Sequence, residues 1–165
     1  MQSTNWAKTG TGTAITCAYF KNPTAGSKAY TFTLSGGSVS FLDTFIAEYS
    51  GVDNTTQPNV TITTGATSSN ASCTSNSVSP TAAGQLLVGF AQMSTTTGVS
   101  GGSGTWTLVD TSDGNGYADN VNGTNTAGQH LVFASSSSGN NDCQIAVFNA
   151  AASGGGSPTA MPVVY

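Results

Sequence analysis

The segment GVSGGSG, residues 98–104, contains the pattern Gly-x-Ser-x-Gly centred on Ser100. In one large class of hydrolases this pattern places a serine nucleophile on a sharp turn between a strand and a helix. The residues that could complete a catalytic triad follow in the chain order that such an enzyme uses: Asp110, Asp113, Asp119 and the only histidine, His130. The first question is therefore whether the chain is an esterase.

The sequence around Ser100 argues against a hydrolase. Glycine and serine follow Ser100 where a helix would have to begin, and the stretch before His130 is too short for the further β-α units of such a fold. In a chain with 21 glycines and many serines, the pattern is expected by chance. We predict that the chain is not an enzyme and that His130 opens a strand.

The segment DTSDGNGYADN, residues 110–120, is rich in oxygen ligands and in turn-forming glycine. Asp110, Asp113 and Asn115 are the candidate ligands for a calcium ion. The spacing of an EF-hand and its terminal glutamate are missing, and a hairpin turn over residues 113–116 accounts for most of the pattern. We predict a hairpin and no cofactor, with calcium as the alternative.

Aromatic side chains provide the second candidate site, because sugars stack on exposed aromatic faces in carbohydrate-binding sandwiches. Trp106 and Tyr117 are the candidate stacking residues, and Trp6, Tyr30 and Tyr49 could extend the platform. Packing in the core is the default role for each ring. Glycans therefore stay an alternative partner.

The composition restricts the classes of partner. Charged residues make up 6% of the chain, there is no arginine, and the net charge is −4. Nucleic-acid binding and attraction to anionic membranes both need clustered Lys and Arg, so neither partner is expected. Ser, Thr, Asn and Gly replace the charges, a composition that favours strands and turns over helices.

Hydrophobic alternation predicts strands throughout the chain. In AYTFTLS, the side chains of Tyr30, Phe32 and Leu34 should share one buried face. Comparable runs cover residues 12–20, 59–64, 105–110 and 129–134. Residues 85–93 and 143–149 are apolar on both faces, so we expect central strands covered on both sides. The run over residues 40–50 is interrupted by Asp43, which predicts a bulge or a strand break.

Many short strands separated by turn clusters predict an all-β fold, a two-sheet antiparallel β-sandwich of jelly-roll or Ig-like type. We assign residues 1–150 to this domain and residues 151–165 to a Gly/Ser linker with an apolar tail. The tail residues are predicted to serve assembly by docking on a neighbouring molecule: Met161, Pro162, Val163, Val164 and Tyr165.

Three cysteines, Cys17, Cys73 and Cys143, lack the short paired spacings of a zinc site. One disulfide with one free thiol is an alternative. Because Cys17 and Cys143 lie in apolar runs, we favour small buried core residues at both positions.

Several segments together resemble uncharacterised β-sandwich modules of secreted soil-bacterial proteins and of phage structural proteins. These segments are YFKNPTAGSKAYTFTL, IAEYSGVDNTTQP, GQLLVGFAQM, GSGTWTLVDTSDGNGYADN and CQIAVFN. The resemblance covers roughly residues 5–149 and implies no active site. Such modules have a further strand before the turn that corresponds to Asn5–Trp6, so a missing or exchanged edge strand is expected here.

The composition is that of a protein facing the environment, whereas the chain starts at Met1 without an export signal. A phage virion protein satisfies both observations. We therefore expect a non-enzymatic structural module on the virion surface, a capsid decoration or fibre-like protein. It would form homo-oligomers or bind other virion proteins through sheet edges and the tail. The alternatives are a secreted bacterial surface or filament subunit, extracellular or on the cell surface, and a carbohydrate-binding module.

Deletion of residues 157–165 should leave a folded monomer and weaken its assembly, because the apolar tail would no longer dock on a neighbour. Burial of each large tail side chain contributes roughly 1.5–3 kcal/mol before the linker is ordered. Analytical ultracentrifugation of both chains measures the effect. Equal assembly of the truncated and full chains would show that the tail is only a frayed end.

Overall fold

A computed structural model of the chain describes residues 3–9, 14–20, 26, 29–31, 43–53, 60–64, 70–101, 105–123, 128–152 and 158–161. Twelve strands lie within these residues. They are β1 (Ser3–Thr9), β2 (Ala14–Phe20), β3 (Glu48–Ser50), β4 (Val60–Thr64), β5 (Ser72–Thr74), β6 (Gln85–Gln92), β7 (Thr96–Gly101), β8 (Thr107–Asp110), β9 (Gly116–Gly123), β10 (Leu131–Ser135), β11 (Asp142–Phe148) and β12 (Thr159–Met161). The one helical element of the described residues is a 3-10 turn, Ser112–Gly114.

The strands form an antiparallel β-sandwich. A five-stranded sheet has the order β4-β11-β6-β9-β8, and a three-stranded sheet has the order β5-β10-β7. Three strand pairs are nested along the chain, namely β4–β11, β5–β10 and β6–β9. Nested pairing across two facing sheets is the connectivity of a jelly roll. Strand β8 departs from this plan, because it extends the larger sheet beside β9.

The main core lies between the two sheets. Leu87, Ala118 and Ile145 of the five-stranded sheet pack with Leu131 and Phe133 of β10, and all five side chains are buried. The disulfide Cys73–Cys143 crosses the same interface from β5 to β11, with both residues at 0% exposure. The prediction that Cys143 is an unbonded core residue is wrong; one disulfide with one free thiol is the outcome.

The opposite face of the five-stranded sheet is also covered. Leu86, Val88 and Phe148 are buried there, with Tyr19 of β2 and Phe45 packed against them. Tyr19 meets Phe148 edge-on, with ring centroids 5.7 Å apart. Strands β6 and β11 are therefore covered on both sides, which confirms the prediction made from their two apolar faces.

A second layer on this face includes two short ribbons. Strands β1 and β2 form one antiparallel ribbon, and β3 pairs with β12 in the other. Asn5 and Trp6 lie within β1, so the expectation of a turn at these residues is wrong. Residues 43–47 are not in a strand and β3 begins at Glu48. Residues 40–42 lie outside the described residues, so the choice between a bulge and a strand break at Asp43 stays a prediction.

The prediction for AYTFTLS fails at its first residues. Tyr30 and Thr31 are not in a strand, and Tyr30 is 41% exposed. Phe32 and Leu34 lie outside the described residues. The exposure of Tyr30 shows that period-two alternation alone did not identify a buried face at this position.

Replacing Gly89 with alanine should destabilise the fold by about 1–3 kcal/mol, because overpacking strains a dense core. An added Cβ would overlap Leu131 Cδ2 on the facing sheet and lie 3.3 Å from the Gln144 carbonyl oxygen. Gly98→Ala in β7 is the matched control, since no heavy atom lies within 4 Å of its Cβ position. Urea unfolding measures both changes, and equal losses for the two variants would contradict this account of the inter-sheet contact.

Candidate functional site

Three polar side chains, those of Tyr49, Tyr117 and Asp119, are joined by hydrogen bonds, and we call them the Tyr–Asp cluster. Tyr117 and Asp119 are two residues apart on β9 and so face the same side of the sheet. Tyr49 comes from β3, which lies over that side. The cluster thus joins the covering layer to the central sheet.

A chain of hydrogen bonds runs through the Tyr–Asp cluster. The Tyr49 hydroxyl donates to Asp119 Oδ2 at 2.7 Å, and the two tyrosine hydroxyl oxygens are also hydrogen-bonded. A phenol has one proton to donate, so Tyr117 donates to Tyr49 while Tyr49 donates to the carboxylate. The two tyrosine hydroxyls therefore form a chain of donors that ends at the Asp119 carboxylate.

Burial dominates the electrostatics of the Tyr–Asp cluster. Desolvation raises the pKa of Tyr49 and Tyr117 above the ordinary tyrosine value. It also raises the pKa of Asp119, while the hydrogen bond from Tyr49 opposes that shift. A phenol acting as a nucleophile or base needs a lowered pKa, so these shifts keep the tyrosines as hydrogen-bond donors.

Aromatic packing encloses Tyr117. Phe45 stacks on it with ring centroids 4.1 Å apart and planes 30° apart, and Phe90 lies 4.8 Å away. The residue is only 4% exposed. Burial of the ring speaks against sugar stacking on Tyr117, and glycan binding by the chain stays an untested prediction.

Trp106, the other candidate stacking residue, lies beside a different core from Tyr117. It is half-buried and packs against the core between the two sheets, as do Val99 and Leu108. Trp106 and Tyr117 thus belong to different cores and cannot form one platform.

The proposed calcium ligands lie in the connection between β8 and β9. The Asp110 carboxylate accepts from the backbone N–H and the hydroxyl of Ser112, at 2.9 and 2.7 Å. Asn115 donates to Asp43 at 2.8 Å, and its side-chain oxygen accepts from the Met93 N–H at 3.2 Å. These contacts fasten the predicted hairpin, since β8 and β9 pair on either side of it.

Backbone geometry also specifies this hairpin. Asp113, with a φ of 51°, is followed by Gly114 with a φ of 86°. An added Cβ on Gly114 would overlap the Ser94 carbonyl, so this close approach requires glycine. Within the described residues, no group of three or more His, Cys, Asp or Glu side chains is arranged to hold a metal ion. Calcium binding at Asp110, Asp113 and Asn115 stays an untested alternative.

The residues of the hydrolase pattern are not arranged as a nucleophile elbow. Ser100 lies within strand β7, opposite Val132 of β10, and is exposed. His130 precedes β10, and its Nδ1 lies 3.3 Å from the Gly128 carbonyl oxygen. Asp119 is bound to Tyr49 on the far face of the other sheet. Asp119 is therefore held apart from Ser100 and His130, which lie at adjacent strands.

Of the five residues predicted to serve assembly, the structure describes only Met161. Met161 is the last residue of β12 and pairs with Glu48 of β3 in the same chain. Pro162, Val163, Val164 and Tyr165 lie outside the described residues. Docking of the tail on a neighbour stays a prediction, and the structure adds that residues 159–161 have a partner strand within one chain.

Cys17, the free thiol, is a residue of β2 and is buried. Its thiol donates weakly to Gln144 Oε1 at 3.8 Å, and burial raises its pKa to about 12. A thiol held in its protonated form is a poor nucleophile. Cys17 therefore has the role of a small core residue, which was the prediction for it.

The Asp119→Asn substitution should flatten the pH dependence of stability. A carboxyl with a raised pKa binds more protons in the folded state, so it stabilises the protein fully below the unfolded pKa of about 4. That contribution is lost as pH rises through the folded pKa. Urea unfolding from pH 3 to pH 7 should show the loss in the native chain and not in the variant.

Tyr49→Phe provides the companion measurement. It removes the hydrogen bond that opposes the shift, so the same loss of stability should move to higher pH. An unchanged pH profile in both variants would show that Asp119 is not the titrating group.

No helix in the described ranges is long and apolar enough to cross a membrane. Comparison of the chain with protein-family models, with curated proteins and with solved structures finds no match. The resemblance to secreted and phage modules therefore rests on the sequence segments alone.

Proposed function

We propose that the chain is a non-enzymatic structural module displayed on a virion, as a capsid decoration or fibre-like protein. The observation that carries this proposal is the buried disulfide Cys73–Cys143. Disulfides persist in oxidising surroundings and are rare in reducing cytosol. A protein that works outside the cell after lysis meets that condition.

The position of the disulfide fits a mechanical role. It links β5 of the smaller sheet to β11 of the larger one, over a sequence separation of 70 residues. Closing a loop of this length removes unfolded-state entropy worth about 4 kcal/mol in the chain-entropy model. The disulfide therefore resists separation of the two sheets. A component on the outside of a particle requires such resistance.

The fold and the surface composition agree with this role. Jelly rolls are common in viral capsid proteins and in lectins, although a fold alone does not assign a function. The side chains of the Tyr–Asp cluster are engaged in contacts between β3 and the central sheet. What the module offers to partners is thus sheet edges and small uncharged side chains.

A secreted bacterial surface or filament subunit is the second candidate, because the disulfide favours any extracellular setting equally. Burial of Tyr117 weakens the carbohydrate-binding candidate, which stays untested. The virion and filament candidates differ in the particle that carries the chain, which an experiment can identify.

Density-gradient fractions from the producing culture, probed with an antibody against the chain, should contain it in particles that hold nucleic acid. Peptide mass spectrometry without reduction should recover Cys73 linked to Cys143, with the buried Cys17 as the internal thiol control. Recovery in nucleic-acid-free filaments would replace the virion by the filament subunit. Recovery only from cytosol, with Cys73 and Cys143 as free thiols, would contradict both.

A further inference from the structure

Strand β12 is held in the fold by a single strand. Its backbone pairing joins Thr159 to Ser50, Ala160 to Tyr49 and Met161 to Glu48. Within the described residues, β12 has no ladder with any other strand. The position that it occupies is therefore one edge of β3, three residues long.

The edge of β3 that receives β12 is fixed independently of β12. Tyr49 is anchored through its hydroxyl to Asp119 on the central sheet. Just after β3, the Asp53 N–H donates to the Asn149 carbonyl at 2.9 Å, and the Ala151 N–H donates to the Gly51 carbonyl at 2.8 Å. The acceptor strand thus stays in place whichever copy of β12 fills its edge.

The sequence of the connection to β12 does not specify whether β12 pairs with β3 of its own chain or of another chain. Residues 153–157 read Ser-Gly-Gly-Gly-Ser, the composition of a flexible linker. Five residues span at most about 17 Å, so a strand can reach a second copy only when the two β3 edges lie side by side. Glu48 is the only charged residue of the two strands, so such an approach brings together a single carboxylate from each copy.

We propose that β12 is exchanged between copies of this chain, so that residues 159–161 of one molecule fill the β3 edge of another. The occupant is specified by the structure, since the same segment already fits the same edge within one chain. Pairing between molecules repeats the same hydrogen bonds, which makes exchange of an identical element a low-cost route to a dimer. This inference rests on the proposed structural role and names its partner as a second copy.

Co-expression of two differently tagged full-length chains tests the exchange. One carries Ser50→Cys and the other Thr159→Cys, a directly opposed pair on adjacent strands and so within disulfide reach. Neither chain can form this bond alone. The control replaces the first chain by one with Ser136→Cys, at an exposed position outside the strands.

Exchange should yield a covalent heterodimer at about tenfold or more the level of the control, since paired strands hold the thiols at high effective concentration. Peptide mapping should place the bond between positions 50 and 159. Heterodimer at the control level would overturn the exchange. That result would leave the extracellular role standing, because the gradient and thiol measurements do not depend on β12.

Discussion

Strand β11 is buried at each of its seven residues, on both faces of the five-stranded sheet. A strand of this kind is stable only if two separate layers cover it, because burial of apolar surface drives folding and each face needs its own partner. The three-stranded sheet covers one face, and β2, β3 and Phe45 cover the other. The remaining architecture follows from this requirement.

Double burial also imposes a condition on polar side chains. Asp142 and Gln144 lie on β11 with no exposed surface, and Gln85 on β6 is 1% exposed. Buried polar groups are costly without hydrogen bonds. Gln85 accepts from the N–H groups of Thr81 and Ala82 and donates to Asn149. Gln85, the first residue of β6, thus fixes the neighbouring turn as well as filling space.

The central strands could be predicted because their signal is intrinsic: both faces of β6 and β11 are apolar in sequence. Strand β7 could not, because TTGVSG has weak strand preference and its structure comes from pairing with β10. Strand β9 could not be predicted for a related reason: its segment YADN is largely polar, and its burial depends on the surrounding fold. Local composition does not carry the information that a partner strand supplies.

The Tyr–Asp cluster was beyond sequence reasoning for a different reason. Tyr49 and Asp119 are distant in the chain, and only the fold brings them together. The available signal was the spacing of Tyr117 and Asp119, which places both on one face of a strand. That spacing could have marked a polar group on a buried face, but it could not have identified Tyr49 as its partner.

The nested pairing has a consequence for the time order of folding. Strands β4, β5 and β6 can pair only after β11, β10 and β9, their respective partners, have been synthesised much later in the chain. Such non-local contacts slow folding, because the intervening chain must lose conformational entropy before the contacts of any strand pair stabilise it. During synthesis, the apolar β6 therefore leaves the ribosome before β9 and β11, its partners in the sheet, and before β10, which covers one of its faces. The nascent chain must avoid aggregation during that interval.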